Sequence, residues 1–343
     1  MKSNYQPWEV NIDDFPEKEN FNSQIKFILR YAILAPSTHN TQPWLFKIKE
    51  PECEVYYNPK LVLPEADSKT RDLHISMGCC IENLILAAKY FNIFNSIGYG
   101  PFSNKEQLAV VHFKKYTGEK NSAYEKMINT IPKRINARGI FYPESVPEDV
   151  LNNISFIVKD YLVDEIHINW ITEKNKILDL SHLTADGLKI AYHKTSFRKE
   201  MSYWMRNSFT KTKEGIPGYA LKMPPVLSFI LPILVRWYNI GNFLSKKNYS
   251  SISSAPLVVV ITAENENPSV WLKVGQLAER LFLEFNGYGW QTSIFVAAIE
   301  MGRDKEVQKI IGNNKKPQFL FVVGKVDSLH KPTPRHELEE KII

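Results

Sequence analysis

Cysteine is scarce in this chain: there are three in 343 residues. Cys79 and Cys80 are adjacent in an apolar stretch, Cys53 stands apart, and no C-x-x-C occurs. A disulfide framework and a zinc site are therefore not expected, and a reducing compartment, the cytoplasm, is. The opening Met1-Lys2-Ser3-Asn4-Tyr5 lacks the apolar segment of a secretory leader. No G-x-G-x-x-G, Walker A or H-E-x-x-H string is present, which removes the main support for a dinucleotide-fold dehydrogenase, an NTPase or a zincin. There is no low-complexity tract. No run of Lys and Arg interleaved with aromatics marks a nucleic-acid surface, so no nucleic-acid partner is expected.

What is present is a globular composition. Apolar residues make up 44% and aromatics 12% of the chain, enough for a substantial core. The length fits two ordinary domains or one large one. The net charge of +6 is spread along the chain. Such mild basicity suits an anionic small ligand as well as a membrane surface.

Apolar periodicity lays out the elements. Residues 1–21 read as an irregular arm. Spacings of three and four predict a helix over 21–35, ended by Pro36. Residues 44–49 and 54–57 read as a hairpin, 72–91 as a helix apolar on most sides, and 108–114 as a strand. A helix of that kind belongs inside a large core or between domains. The second half reads as strands at 166–171, 255–263 and 318–325, with helices at 174–194, 198–207, 271–286 and 306–311. Each half thus holds a long apolar helix with flanking strands, a loose echo that suggests duplication.

Two short strings carry chemistry. The first is Ala35-Pro36-Ser37-Thr38-His39-Asn40-Thr41-Gln42-Pro43-Trp44. Pro36 fixes a turn, Ser37, Thr38 and Asn40 offer short donors and acceptors, and Pro43-Trp44 opens the next strand. By composition this is either a loop laid against a planar ligand or an ordinary helix-to-strand turn. The second is Arg134-Ile135-Asn136-Ala137-Arg138. Alternate positions of an extended segment point one way, so Arg134, Asn136 and Arg138 can meet one oxyanion, for which two guanidinium forks suit a phosphate. A solvated basic loop is the other reading. His39 is read as packing and His74 as a satisfied buried histidine.

Both strings resemble motifs of the FMN-dependent nitroreductases, in which the arginine motif grips the flavin phosphate and the A-P-S loop of the other subunit covers the ring. Arg134 to Arg138 is followed by Phe141 and Val146-Pro147, as in the family, with Asn136 where the family has Ser. Pro332-Thr333-Pro334-Arg335 resembles the family's C-terminal tail, with Arg335 in register and Thr333 where a Lys is usual. Over nearly its whole length the chain is similar to the Acg family of FMN-binding oxidoreductases. The matching blocks include Asp67, Arg71, Gly78 and Asn83, then 197–204, 215–217 and 271–276. The order of the two strings is reversed and their spacing is long.

The resemblance implies an α+β fold of two nitroreductase-like domains fused as a pseudo-dimer, with central antiparallel or mixed sheets flanked by helices. One domain would span 1–128 and carry the ring loop. The other would span 129–343 and carry the phosphate-binding arginines, with 209–250 as a lid-like insertion. One complete FMN site is implied, held by Pro36, Ser37, Thr38, Asn40, Arg134, Asn136, Arg138 and Arg335, without metal and without an assigned catalytic side chain. The implied function is passage of electrons from NAD(P)H to a small acceptor. A flavin-sequestering protein with a closed lid is the alternative. Residues 223–235 carry no charge but fall short of the roughly 18 residues of a spanning helix and are interrupted by prolines. Lid, core and interfacial contact are the three readings of that segment; the lid is favoured and a membrane contact is not expected. A monomer or a homodimer is expected.

Overall fold

The computed structural model describes residues 4–163 and 166–343. The first three residues of the expected N-terminal arm lie outside them. The rest of that arm holds two short 3-10 turns, Gln6–Trp8 and Ile12–Asp14.

The first half runs α1 (Phe21–Ala32), β1 (Trp44–Lys49), β2 (Glu52–Tyr57), α2 (Arg71–Tyr90), β3 (Phe94–Tyr99), β4 (Gln107–Phe113) and α3 (Glu125–Thr130). The second runs α4 (Glu148–Ile157), β5 (His167–Ile171), α5 (Lys174–His193), α6 (Thr195–Trp204), β6 (Met205–Arg206), β7 (Ile216–Pro217), α7 (Pro225–Trp237), α8 (Gly241–Ser254) and β8 (Leu257–Ala263). It closes with α9 (Pro268–Gly287), β9 (Gln291–Ile294), α10 (Ala297–Glu300), α11 (Asp304–Ile311) and β10 (Lys316–Gly324).

Two four-stranded antiparallel sheets result, with orders β1-β2-β4-β3 and β5-β8-β10-β9. The orders are the same once β1, β2, β3 and β4 are matched to β5, β8, β9 and β10. In each half the long helix, α2 or α9, comes between the second and third of these strands in the chain. The halves differ in their connections: a short loop joins β3 to β4, whereas α10 and α11 lie between β9 and β10. A short turn joins β1 to β2, whereas 172–256 join β5 to β8 and hold α5 to α8. The fold is α+β, with two sheets of one topology in a single chain.

The long helices form the seam. Every residue of α2 except Lys89 is buried, which explains why it is apolar on most sides. Asp67 starts it: its Oδ2 accepts from the Leu73 amide at 2.7 Å. Asn267 caps α9 in the usual way, its side chain accepting from the Val270 amide, with Pro268 in the first turn. The helices cross at Gly78 and Gly275. A Cβ on Gly78 would stand 2.1 Å from the Leu272 carbonyl oxygen, and one on Gly275 would stand 2.1 Å from the Ile75 carbonyl oxygen. Only glycine permits that approach. The reciprocal contact is that of a two-fold axis, as in an isologous dimer interface. His74 and Trp271, equivalent under the same axis, face each other with ring centroids 5.8 Å apart.

Four differences from the sequence expectation have physical causes. The first helix stops at Ala32, because the chain must turn before Pro36. Strand β9 is short and polar, and β3 interrupts its apolar residues with asparagine, serine and glycine, so no apolar alternation announced them. The helix expected to run to 207 ends at Trp204, and the next two residues pair in parallel with Ile216–Pro217. The proline-interrupted stretch is one helix from Pro225 on: Pro225 occupies the first turn of α7 and Pro232 is accommodated inside it.

Candidate functional site

A cavity of about 830 Å³ opens where the halves meet. Pro36, Ser37, Thr38, Asn40, Arg134, Asn136, Arg138 and Arg335 all line it, so both strings and the C-terminal tail reach one place.

The loop after α1 is built by its own polar side chains. His39, Asn40 and Gln42 have φ of 53°, 57° and 52°, a left-handed path that non-glycine residues take at a cost. The cost is offset by hydrogen bonds. Ser37 Oγ accepts from the Gln42 amide at 2.9 Å. The Gln42 carboxamide donates to the Lys213 carbonyl at 2.7 Å and accepts from the His336 amide at 2.9 Å. The Asn40 Nδ2 donates to the Pro334 carbonyl at 3.1 Å. The Thr38 amide donates to Ser76 Oγ at 3.3 Å, tying the loop to α2.

The arginines are held differently from one another. Arg134 is buried, with Nε 3.2 Å from a Glu279 carboxylate oxygen and Nη2 donating to the Leu34 carbonyl at 3.2 Å. Burial raises the Glu279 pKa, and Arg134 opposes that rise. Arg335 is also buried; it donates to Asn40 Oδ1 at 2.5 Å, Thr333 Oγ1 at 2.7 Å and the Ala35 carbonyl at 3.0 Å, and lies over the Trp8 ring. Burial, with Arg134 adding repulsion, brings its pKa down to about 9. Arg138 makes two long bonds, each 3.4 Å, to Ser293 Oγ and the Ile294 carbonyl, and burial brings its pKa down to about 10. Three guanidiniums thus line one cavity, and a single carboxylate, Glu279, is ion-paired with one of them. The Nε of Arg335 is buried without a hydrogen-bond acceptor. Two other acids line the cavity, Asp72 and Glu300, and Glu300 is paired with Arg71.

Asn136 departs from the expectation of three groups aimed at one oxyanion. Its Oδ1 accepts from the Ile294 amide at 3.0 Å, and the Ala137 amide donates to the Thr292 carbonyl at 2.8 Å. The segment is laid along β9, and that pairing presents Arg134 and Arg138 to the cavity. Asn40 and Thr333 likewise orient Arg335. Asp67 and Arg71, matched on sequence alone, organise α2: Asp67 caps it, and Arg71 donates to Glu300 at 2.6 Å and 3.0 Å. His74 is satisfied, its Nδ1 lying 2.6 Å from the Thr70 carbonyl.

Sequence reasoning missed several cavity residues. Ser76 and Cys79 come from α2, Phe295 follows β9, and His330 precedes the tail. Asp72 also lines the cavity, with Oδ1 buried and unpartnered; burial first, and Glu300 second, push its pKa well up. His39 has a buried, unpartnered Nε2, and burial lowers its pKa to about 4. No spacing rule marks such residues, since the fold brings them in from separate elements.

The two-fold axis predicts a second cavity, and one exists. Ser76 and Cys79 of the first correspond to Lys273 and Gln276, which line a smaller cavity of about 390 Å³. Glu279 corresponds to Glu82. In place of a partner arginine, the Tyr161 hydroxyl donates to Glu82 at 2.5 Å.

Comparison with known proteins follows the same lines. The chain is 22% identical over 323 residues to "Putative NAD(P)H nitroreductase acg" of Mycobacterium tuberculosis, covering 92% of this chain and 94% of that one. It is 19% identical over 335 residues to "Putative NAD(P)H nitroreductase Rv3131" of the same species, covering 96% and 92%. The similarity to these two proteins thus extends over more than nine-tenths of the chain. Among solved structures, the chain is similar to the FMN-dependent nitroreductase NfnB of Mycobacterium smegmatis in complex with NADPH, with TM-score 0.41 and 16% identity over 64% of this chain and 97% of that one. It is also similar to a nitroreductase with bound FMN from Bacteroides fragilis, with TM-score 0.38 and 15% identity over 60% and 92%. No family model matches the chain.

Proposed function

We propose that this chain is an FMN-dependent oxidoreductase of the nitroreductase type, with one flavin in the cavity between its halves and NAD(P)H as reductant. The observation that carries the reading is the set of three buried or half-buried guanidiniums, Arg134, Arg138 and Arg335, lining one cavity with a single carboxylate partner. Burying charge without an anion costs several kcal/mol per group, and a phosphate relieves that cost. A cavity of about 830 Å³ lies within the usual range for a cofactor of this size.

Arg134, Arg138 and Arg335 bind the phosphate. The 36–38 turn and Ser76 border the ring, with Phe295 as an apolar wall. Asn40, Asn136 and Thr333 position the arginines. When bound, the flavin supplies the two-electron chemistry and the protein sets orientation and access. Asp72 borders the same cavity with an unpartnered carboxyl oxygen, and burial pushes its pKa up. The acceptor is a small molecule that enters the same cavity.

We divide the chain near residue 128, between the half with the ring loop and the half with the arginine motif, and treat 209–250 as an insertion over the site. Lys222, Met223, Phe243 and Leu244 of that segment border the cavity, which favours restricted access and keeps flavin sequestration as the second reading. Anaerobic addition of NADH or NADPH to the purified yellow protein separates the two. Bleaching followed by reoxidation with a small acceptor supports turnover. A flavin band that resists both donors supports sequestration, and a protein purified from flavin-replete cells without any flavin band overturns both.

A further inference from the structure

We propose that α7 is a docking surface for an anionic phospholipid bilayer, on which the chain rests without crossing it. Helix α7 is apolar on two faces. Ser228, Leu231 and Val235 point inward and are buried; Leu231 and Val235 pack in the same cluster as Met201 and Trp204 of α6. Val226, Phe229, Ile230, Ile233 and Trp237 recur at spacings of three and four and point outward. Val226 is 75% exposed and Trp237 69%. Phe209, 68% exposed, stacks on Phe229 and widens the patch. In α7 only Ser228 and Arg236 are polar, and Ser228 is inside. A water-facing helix carries polar residues on its outer face, and this one has none along that row.

Charge selects the occupant. From residue 215 to residue 263 the chain has no Asp or Glu; Arg236 stands on α7 itself, and Lys222, Lys246 and Lys247 border the cavity beside it. Among the described residues none of these four is within ion-pair distance of a carboxylate. Arg236 lies beside the Trp237 ring and Lys247 over the Phe243 ring, where long stems can lie along apolar surface with their charge at its rim. Apolar side chains on one face, cations at the edge, and Trp237-Tyr238 at the helix end form the pattern of a helix lying in a membrane interface. A second copy of this chain seated on the patch would bring the same cations together with no acid to meet them, so a negatively charged lipid surface fits better. Among the described residues no single helix is long and apolar enough to cross a membrane; α7 and α8 reach that length only as a pair bent by 118°. This departs from the sequence expectation of no membrane contact, which could not show that the uncharged run is a helix with its apolar face outward.

The test is co-sedimentation of the full-length protein with vesicles of phosphatidylcholine, with and without phosphatidylglycerol. Binding is expected on the anionic vesicles, weakening with salt, with a blue shift in the Trp237 emission taken as the difference between the native chain and Trp237→Phe. The double variant Phe229→Asp, Ile233→Asp should bind at least tenfold more weakly and keep its thermal unfolding midpoint, since both side chains are exposed. Arg236→Glu should weaken binding to the anionic vesicles alone. No binding to either vesicle overturns the proposal. So does a native dimer, seen by light scattering, that the double variant dissociates, because the patch then belongs to a second copy. None of these readouts depends on flavin, so they stand or fall apart from the proposed reaction.

Discussion

Arg134 and Arg335, from opposite ends of the second half, donate to the same carbonyl oxygen, that of Leu34, at 3.2 Å and 3.3 Å. Two like charges share one acceptor at the end of α1. That arrangement is unfavourable for the protein alone and favourable around a dianion.

Replacing these arginines therefore separates binding from folding. Arg138 has only long bonds within the protein, so Arg138→Ala should weaken FMN binding tenfold or more, about 1.5–3 kcal/mol for a charge-assisted hydrogen bond, with little change in stability. Arg335→Ala should weaken FMN and also destabilise the apoprotein, because Asn40 and the tail lose their partner. Flavin fluorescence titration and urea unfolding of both variants check this; unchanged affinity in each would remove the phosphate assignment.

The Arg335 pKa of about 9 gives a pH signature. Its usual value lies far higher, and a bound phosphate raises it again. In the alkaline range the buried guanidinium of the apoprotein holds its proton less firmly than the FMN complex does. FMN affinity is thus expected to be flat near neutrality and to fall as pH rises into that range. A dissociation constant followed from neutral to alkaline pH tests it, with Arg335→Lys as comparison.

A single flavin per chain is expected. The second cavity is less than half the size of the first, and the Tyr161–Glu82 bond occupies the place of the arginine–glutamate pair. Absorbance of the flavin band against protein concentration gives the ratio, and two per chain would contradict the one-site reading.

His39 should shape stability in acid. Its folded pKa is about 4 against an ordinary 6.5, so between those values the unfolded chain holds a proton that the folded one does not. Stability is expected to rise as pH goes from about 4 to about 6.5, by at most about 3 kcal/mol from this group. In His39→Gln that portion of the slope should vanish, as read by urea midpoints across the window.

Much of this architecture was legible from apolar periodicity. The long runs of α2, α9 and β8 are readable because burial on nearly all sides leaves no polar residue to break them. β9, short and polar, was not, nor was β3, whose apolar residues are broken by asparagine, serine and glycine, nor α7, whose prolines fall in its first turn and at one tolerated interior position. At the site, the arginines and the Ser37 loop stood out through their resemblance to nitroreductase motifs, since spacing and composition alone also allowed a solvated basic loop and an ordinary turn. Asp72, Ser76, Cys79 and His330 did not, because only the packing of distant segments gives them a common neighbour. Asn136 shows the limit of the spacing argument: it faces the cavity, yet its carboxamide oxygen holds the chain against β9.

The crossing of Gly78 and Gly275 can be tested on each side. Alanine at either should destabilise the fold by roughly 1–3 kcal/mol or more, since the added methyl meets backbone and no flexible side chain. Chemical denaturation of Gly78→Ala and Gly275→Ala measures it, and a midpoint unmoved in both would mean the helices can separate freely.

That crossing also has a genetic meaning. In a symmetric pair of identical subunits a single codon change is expressed on both sides of the axis at once, so neither site can alter without the other. Where both helices are encoded in one reading frame, each side answers to its own codons. Tyr161 could then come to face Glu82 while Arg134 faced Glu279, and one half could gain the long α5 to α8 excursion while the other kept a tight turn. Covalent linkage makes inherited asymmetry possible here, and it makes the two glycines the positions where the halves must still agree.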